Sequence, residues 1–134
     1  MGGTETILLV ENEAALREVT AEYLRMKGYA VLEAGDQKEA LQLCASHPGP
    51  IHLMLTDVVM PGGSGPDTAK LVLETRPGLR IIYVSGFTDQ AIRRELDEQG
   101  AIFLQKPFAL DALGGKIRSL LNGKDKKTEA KSAQ

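Results

Sequence analysis

The chain has 134 residues, 43% of them hydrophobic and 25% charged, which is the size and balance of one globular domain that closes its own core. Its formal charge of −2 includes four lysines and two acids in residues 124–134, so the rest carries about −4 and offers no basic surface for nucleic acid. Since no apolar run approaches the roughly 20 residues of a membrane span and the N-terminus lacks a secretion signal, we expect a cytoplasmic protein, or the cytoplasmic part of a larger one.

Five short apolar runs alternate with stretches of helical spacing, and each run is a candidate strand. The runs are residues 6–10, 29–34, 51–56, 80–84 and 101–105. Helix start signals follow them, because Asp36 and Glu39 form a capping box and Ser64 with Asp67 can form another. The fifth helix is predicted over about residues 109–122.

This alternation predicts right-handed crossovers and a parallel sheet. Gly28 and Gly100 stand where the first and fourth helices should end in a left-handed residue. The near-continuous apolar runs 7–10, 53–55 and 81–84 suit central strands that are covered on both faces, whereas the second and fifth runs suit the edges. The sequence therefore predicts an α/β fold with a doubly wound, five-stranded parallel sheet in the order 2-1-3-4-5.

The domain organisation follows from these elements. We expect an N-terminal extension over residues 1–5, one domain over 6–122 and a disordered tail over 123–134. The lone cysteine and the methionines are interpreted as core residues, and the histidines as surface or strand-start residues without partners at metal spacing. These residues are Cys44, Met26, Met54, Met60, His47 and His52.

Polar side chains follow four of the five predicted strands. Glu11 and Asn12 come after the first strand, Asp57 after the third, Ser85 after the fourth and Lys106 after the fifth. Because parallel strands end at the same edge of a sheet, we expect these side chains to lie close together. Two acids, an amide, a hydroxyl and an ammonium at one edge predict a site for a hard cation and a phosphate.

The chemistry of such a site points to phosphoryl transfer. The carboxylates and the amide oxygen are suitable Mg²⁺ ligands. Asp57 is the natural nucleophile, because a carboxylate needs no deprotonating base to form an aspartyl phosphate. Mg²⁺ and Lys106 would offset the charge on the transferred group, and Ser85 would donate a hydrogen bond to it.

Four motifs carry a resemblance to a known family. The stretches ILLVENE, LTDVVMPGGSG, IIYVSGFTD and FLQKPF, in this order and at these gaps, resemble the receiver domain of bacterial two-component signalling. The resemblance covers roughly residues 5–122 and implies a flavodoxin-like (βα)5 three-layer sandwich. It also implies a phosphoacceptor signalling domain that catalyses at most its own phosphorylation and dephosphorylation.

The resemblance assigns a role to each residue of the candidate site. Asp57 is the implied phosphoacceptor, and the peptide bond between Lys106 and Pro107 is implied to be cis. The other implied roles are the acidic-pair positions Glu11 and Asn12, a metal-binding backbone carbonyl at Val59, a switch hydroxyl at Ser85, a switch aromatic at Phe103 and a phosphate-pairing lysine at Lys106.

The implied partners are other signalling proteins. A sensor histidine kinase or a histidine-phosphotransfer protein would supply the phosphoryl group. An output partner would bind the face of helix four, strand five and helix five, roughly residues 88–121, while a homodimer stays open. No DNA-binding or catalytic domain fits after residue 121, so we expect the output to lie in another protein or another part of a parent chain. The opening GGTETILLVE resembles the linker that enters receivers fused behind histidine kinases.

Asn12 departs from the family pattern, which usually has a second acid there. The residue can serve as a neutral metal ligand or as the N-cap of the first helix, and the sequence leaves both open. A lost charge predicts weaker Mg²⁺ binding than usual. It also raises an alternative function, a receiver-like binding module that works without phosphorylation.

Two enzyme or nucleotide-binding alternatives fit the motifs poorly. A phosphatase of the haloacid dehalogenase type needs a second Asp two residues after the nucleophile, where this chain has Val59. A phosphate-binding loop needs a Lys after its glycines, which Gly62, Gly63 and Gly65 lack.

Overall fold

The computed structural model describes residues 3–86 and 90–123, and within them five strands alternate with five helices. The elements are β1 (Thr6–Val10), α1 (Ala14–Met26), β2 (Ala30–Ala34), α2 (Gln37–Ser46), β3 (Leu53–Asp57), α3 (Gly65–Thr75), β4 (Arg80–Ser85), α4 (Gln90–Glu98), β5 (Ile102–Gln105) and α5 (Leu110–Leu121). The predicted tail from residue 124 onward and the first two residues of the predicted output face, 88 and 89, lie outside the described residues.

All five strands are parallel, and their order is β2-β1-β3-β4-β5, which confirms the predicted topology. The register sets the carboxyl ends of the central strands side by side. Val10 of β1 pairs with Thr56 of β3, and Asp57 at the end of β3 pairs with Val84 of β4. This pairing places the residues that follow β1 and β3 at one rim of the sheet.

The core has two halves, one on each face of the sheet. Alternate residues of β1 point to opposite faces, so Ile7 and Leu9 belong to one half and Leu8 and Val10 to the other. The first half is closed by α1 and α5, and the second by α2, α3 and α4. The result is the three-layer sandwich that the sequence predicted. The described residues contain no helix long and apolar enough to span a membrane.

Helix ends follow the predicted signals. The Asp36 carboxylate accepts a hydrogen bond from the Glu39 amide at 2.9 Å, and the Ser64 hydroxyl accepts one from the Asp67 amide at 3.1 Å. Gly28 has φ +100° beyond the end of α1, a conformation that a residue with a Cβ rarely adopts. The capping predictions at α2 and α3 are therefore confirmed.

The N-terminal segment is attached to the last helix. Two nitrogens of Arg118 on α5 donate to the Glu5 carboxylate, at 3.0 and 2.6 Å. The Arg118 bonds hold the pKa of Glu5 down at about 2. This bidentate pair joins the two ends of the domain, because Glu5 directly precedes β1 and Arg118 lies in the last turn of α5.

For α1, the structure excludes the open alternative of Asn12 as N-cap and contradicts the predicted core position of Met26. The N-cap of α1 is Glu13 and not Asn12, because the helix begins at Ala14, and the Glu13 side chain makes no capping hydrogen bond. Met26 is not a core residue, since 78% of it is exposed. Its position in the helical repeat places it away from the buried Ala21 and Leu24. Met54, Met60 and Cys44 are buried as predicted.

Candidate functional site

Two buried carboxylates and one ammonium meet at the carboxyl edge of the sheet. Asp57 ends β3 and is 4% exposed, and Glu11 follows β1 and is 5% exposed. Lys106 follows β5, and its Nζ lies 3.2 Å from Glu11 Oε1 and 3.2 Å from Asp57 Oδ1. The predicted meeting of these three side chains, which are far apart in the chain, is present in the structure.

Asp57 is held in an environment that disfavours its charge. Lys106 contacts it as an ion pair, but neither carboxylate oxygen accepts a well-oriented hydrogen bond within residues 3–86 and 90–123. Burial, and after it the neighbouring Glu11 carboxylate, raises the pKa of Asp57 to about 7, against the opposing effect of Lys106. Both oxygens of this buried carboxylate therefore retain the capacity to bind a ligand.

Lys106 is held between the two acids. Burial lowers its pKa, but the negative charges of Asp57 and Glu11 outweigh burial, so the pKa lies above its ordinary value. The ammonium therefore stays charged at neutral pH. The peptide bond between Lys106 and Pro107 is cis, which confirms the implied isomer. The Lys106 amide donates to the Ser85 carbonyl at 2.9 Å, which continues the pairing of β4 and β5.

Glu11 is fixed by the turn that enters α1. Its Oε2 accepts a hydrogen bond from the Glu13 amide at 3.0 Å, and Arg17 donates to the Glu11 carbonyl at 2.6 Å. The chain thus turns at Glu11 with the carboxylate directed toward Lys106. The Glu11 carboxylate therefore has two roles: it accepts a hydrogen bond from the turn that enters α1, and it places a negative charge beside Lys106 in the site.

The donor set fits a hard cation with two acidic ligands. Asp57 and Glu11 offer carboxylate oxygens on either side of Lys106, and the unbonded Asp57 oxygens are the atoms that a cation would use. The described residues contain no group of three or more His, Cys, Asp and Glu side chains arranged for a metal. Any further oxygen must come from a neutral group, for which the exposed Asn12 and the backbone of Val59 are available.

Ser85 and Phe103 lie next to the site on β4 and β5. Ser85 is fully buried at the end of β4, and Phe103 is half-buried with its ring centroid 5.9 Å from that of Tyr83. Tyr83 and Phe103 are register partners, as are Ser85 and Gln105. A change at the Ser85 hydroxyl therefore occurs two residues along the strand pair from the contact between the Tyr83 and Phe103 rings.

Comparison with known proteins decides the family. Residues 7–118 match the family model of the response regulator receiver domain. The chain belongs to this receiver family. It is 32% identical to the response regulator receiver protein CpdR of Brucella abortus over 116 residues, 86% of this chain and 95% of CpdR. It is 35% identical to the sensor kinase CckA of Brucella abortus over 126 residues, 93% of this chain and 13% of CckA.

Solved receiver domains share the fold. The receiver domain of the hybrid histidine kinase CckA is 34% identical, with a TM-score of 0.67 over 87% of this chain and 98% of that one. A receiver domain from Clostridium thermocellum is 26% identical, with a TM-score of 0.80 over 90% of this chain and 96% of that one. This chain spans 32% of another relative, a cyclic di-GMP phosphodiesterase of Thermotoga maritima. It thus covers less than a third of two of its curated relatives.

Two residues of the receiver site were missed from sequence. A Cβ on Gly65, at the start of α3, would collide with the backbone carbonyl oxygen of Asp57, so only glycine lets α3 approach so closely. The sequence signal is the group of glycines after β3, where a close approach of α3 to the strand needs a residue without a Cβ. Arg93 on α4 reaches Ser85, Phe103 and Gln105, and no local pattern marks it.

Proposed function

We propose that this receiver domain accepts a phosphoryl group on Asp57 from a phosphohistidine of a sensor histidine kinase or a histidine-phosphotransfer protein. The bond between phosphorus and the histidine nitrogen breaks, and a bond to a carboxylate oxygen of Asp57 forms. The observation that carries the proposal is the buried Asp57 carboxylate, whose oxygens accept no well-oriented hydrogen bond from the described residues while Lys106 pairs with it at 3.2 Å. Lys106 would pair with the transferred group.

Mg²⁺ is the proposed cofactor, held by Glu11, Asn12, Asp57 and the backbone carbonyl of Val59. When bound, it supplies positive charge that offsets the phosphoryl oxygens. The same charge favours the ionised form of Asp57, whose pKa is raised by burial and by Glu11 to about 7. Because Asn12 is neutral, we expect Mg²⁺ affinity to be weaker than with an acid at that position.

The output of phosphorylation is a change of shape. Ser85 and Lys106 would move toward the phosphoryl group, and Phe103 would fill the space that Ser85 leaves. The face formed by α4, β5 and α5 would then bind an output partner, in another protein or in the rest of a parent chain. We expect phosphorylation and partner binding to take place in the cytoplasm, because this reducing compartment suits the buried free thiol of Cys44.

The alternative is a binding module that works without phosphate. Two observations favour it: Asn12 is exposed and uncharged, and Lys106 is paired with both acids. In that case Lys106, Glu11 and Asp57 would form a structural ion triad. The family relationship to CpdR and to the CckA receiver is common to both alternatives.

Intact-mass analysis separates the two. The protein is incubated with saturating Mg²⁺ and acetyl phosphate, and the mass is measured over time. A gain of one phosphoryl group in the wild type, absent in Asp57→Asn and retained in Asp67→Asn on the exposed start of α3, supports the phosphoacceptor. An unchanged mass of the wild type would favour the binding module.

A further inference from the structure

One arginine side chain connects α4 to both residues of the proposed switch. Nη1 of Arg93 donates to Gln105 Oε1 at 2.9 Å and lies 3.4 Å from Ser85 Oγ. Its Cζ lies 5.0 Å from the centroid of the Phe103 ring. A single guanidinium therefore touches the ends of β4 and β5 from α4.

We propose that Arg93 is a positioning residue that holds Ser85 and Phe103 in the arrangement of the unphosphorylated domain and releases both when Asp57 is phosphorylated. The inference rests on the proposed function, because a phosphoryl group on Asp57 is what would draw the Ser85 hydroxyl away.

The Ser85 contact is easily broken. At 3.4 Å, the bond from Arg93 to Ser85 Oγ is at the outer limit of a hydrogen bond. Ser85 is fully buried, and within the described residues its hydroxyl is not bonded to Asp57. A rotation of the hydroxyl toward a phosphoryl oxygen on Asp57 would lengthen the contact with Arg93 beyond bonding distance.

The Phe103 contact opposes the second movement of the switch. The Arg93 guanidinium lies over the ring at a distance typical of a cation–π contact. Phe103 is half-buried, so an inward turn of its ring would carry it away from Arg93. Both movements of the proposed switch thus lose a contact with the same side chain, and contacts made in one state alone shift the balance toward that state.

The release of Arg93 would loosen α4. Leu96 is the one buried side chain among the nine residues of α4, all of which are described. The helix therefore buries few apolar side chains, and the Arg93 bonds to β4 and β5 contribute to its attachment to the sheet. Loss of these bonds would change the α4 surface.

Binding of beryllofluoride, a phosphoryl analogue, tests the inference by fluorine NMR in saturating Mg²⁺. We expect Arg93→Ala to bind it about fivefold more tightly than wild type, since a contact specific to the unbound state is lost. Gln105→Ala, which removes the better acceptor of Arg93, should shift the affinity in the same direction. Arg94→Ala, an exposed neighbour on α4, should leave it unchanged.

A second measurement needs neither Mg²⁺ nor phosphate. In EDTA, hydrogen exchange of the α4 amides should be about fivefold faster in Arg93→Ala and unchanged in Arg94→Ala. Weaker beryllofluoride binding by Arg93→Ala would show that Arg93 assists the phosphoryl group. Equal affinities of the variant and the wild type would show that Arg93 has no positioning role. Either result would overturn this inference but leave the proposed function standing. Failure of the wild type to bind beryllofluoride at all would contradict the proposed function as well.

Discussion

At the scale of single residues, the charge balance of the site rests on Lys106. One ammonium serves two buried carboxylates, so each acid is only partly neutralised and Asp57 keeps a raised pKa, about 7, caused first by burial and then by Glu11. Titratable side chains whose pKa values are shifted by burial and by neighbouring charges are typical of functional sites. The fold thus stores unfavourable electrostatic energy at Asp57, which a cation bound beside it would relieve.

This stored energy predicts a stabilising effect of Asp57→Asn. The folded pKa lies above the unfolded value of 3.8, so ionisation of Asp57 disfavours folding as pH rises from about 4 to about 7. In EDTA at pH 8, the variant should be more stable than wild type by about 2 kcal/mol, and the difference should vanish near pH 4. Urea unfolding measures it, with Glu22→Gln on the exposed side of α1 as control. A less stable variant at pH 8 would mean that Lys106 outweighs burial.

The neutral residue at position 12 predicts a gain of metal affinity on substitution. Asn12→Asp adds a carboxylate to a site that holds only two, and a unit charge about 4 Å from a divalent cation contributes roughly 8 kcal/mol at an effective dielectric of 20 before repulsion among the acids is subtracted. We expect Mg²⁺ to bind at least about tenfold more tightly, and acetyl phosphate to react faster at limiting Mg²⁺. Calorimetric titration measures the affinity, with the exposed Glu13→Gln as control. Equal affinities in wild type and Asn12→Asp would contradict a metal role for position 12.

At the scale of elements, the sequence predicted what depends on local patterns. The parallel strands were found because apolar runs such as 53–55 are buried on both faces, and the ends of α2 and α3 because Asp36 and Ser64 cap them. Boundaries shifted by one or two residues where tertiary contacts decide. Residue 52, for instance, lies before β3, and its side chain accepts a hydrogen bond from the Thr6 amide.

Contacts between side chains on different elements could not be predicted from the sequence pattern. Asn12 is a candidate N-cap of α1 from the sequence, because Asn is among the best capping residues. In the structure α1 begins at Ala14, and the Glu11 carboxylate holds the turn that enters the helix. The position of Arg93 over Phe103 depends on how α4 packs against β5, which no spacing within either element encodes. The sequence pattern therefore predicts which residues lie at the rim of the sheet. The contacts that these residues make with other elements depend on tertiary packing, which the pattern does not encode.

At the scale of the whole molecule, β4 and β5 join the candidate site to the proposed output face. Ser85 and Tyr83 are alternate residues of β4, and their partners Gln105 and Phe103 are alternate residues of β5. The two strands are packed under α4 in the half of the core that contains Leu96. Because a densely packed core changes between discrete arrangements, a local change at Ser85 is expected to reach α4 through Phe103.

Truncation of Phe103 tests this route. Phe103→Ala should leave phosphorylation of Asp57 intact, because the described ring contacts of Phe103 are with Tyr83 and Arg93, but should abolish most of the phosphorylation-dependent change in α4. Hydrogen exchange of α4, compared with and without acetyl phosphate, measures that change, and intact mass confirms equal phosphorylation. Phe103→Tyr keeps the ring beside Tyr83 and Arg93 and should retain the response. Loss of phosphorylation in Phe103→Ala would place the ring in the site itself, and an unchanged α4 response would show that the signal travels by another path.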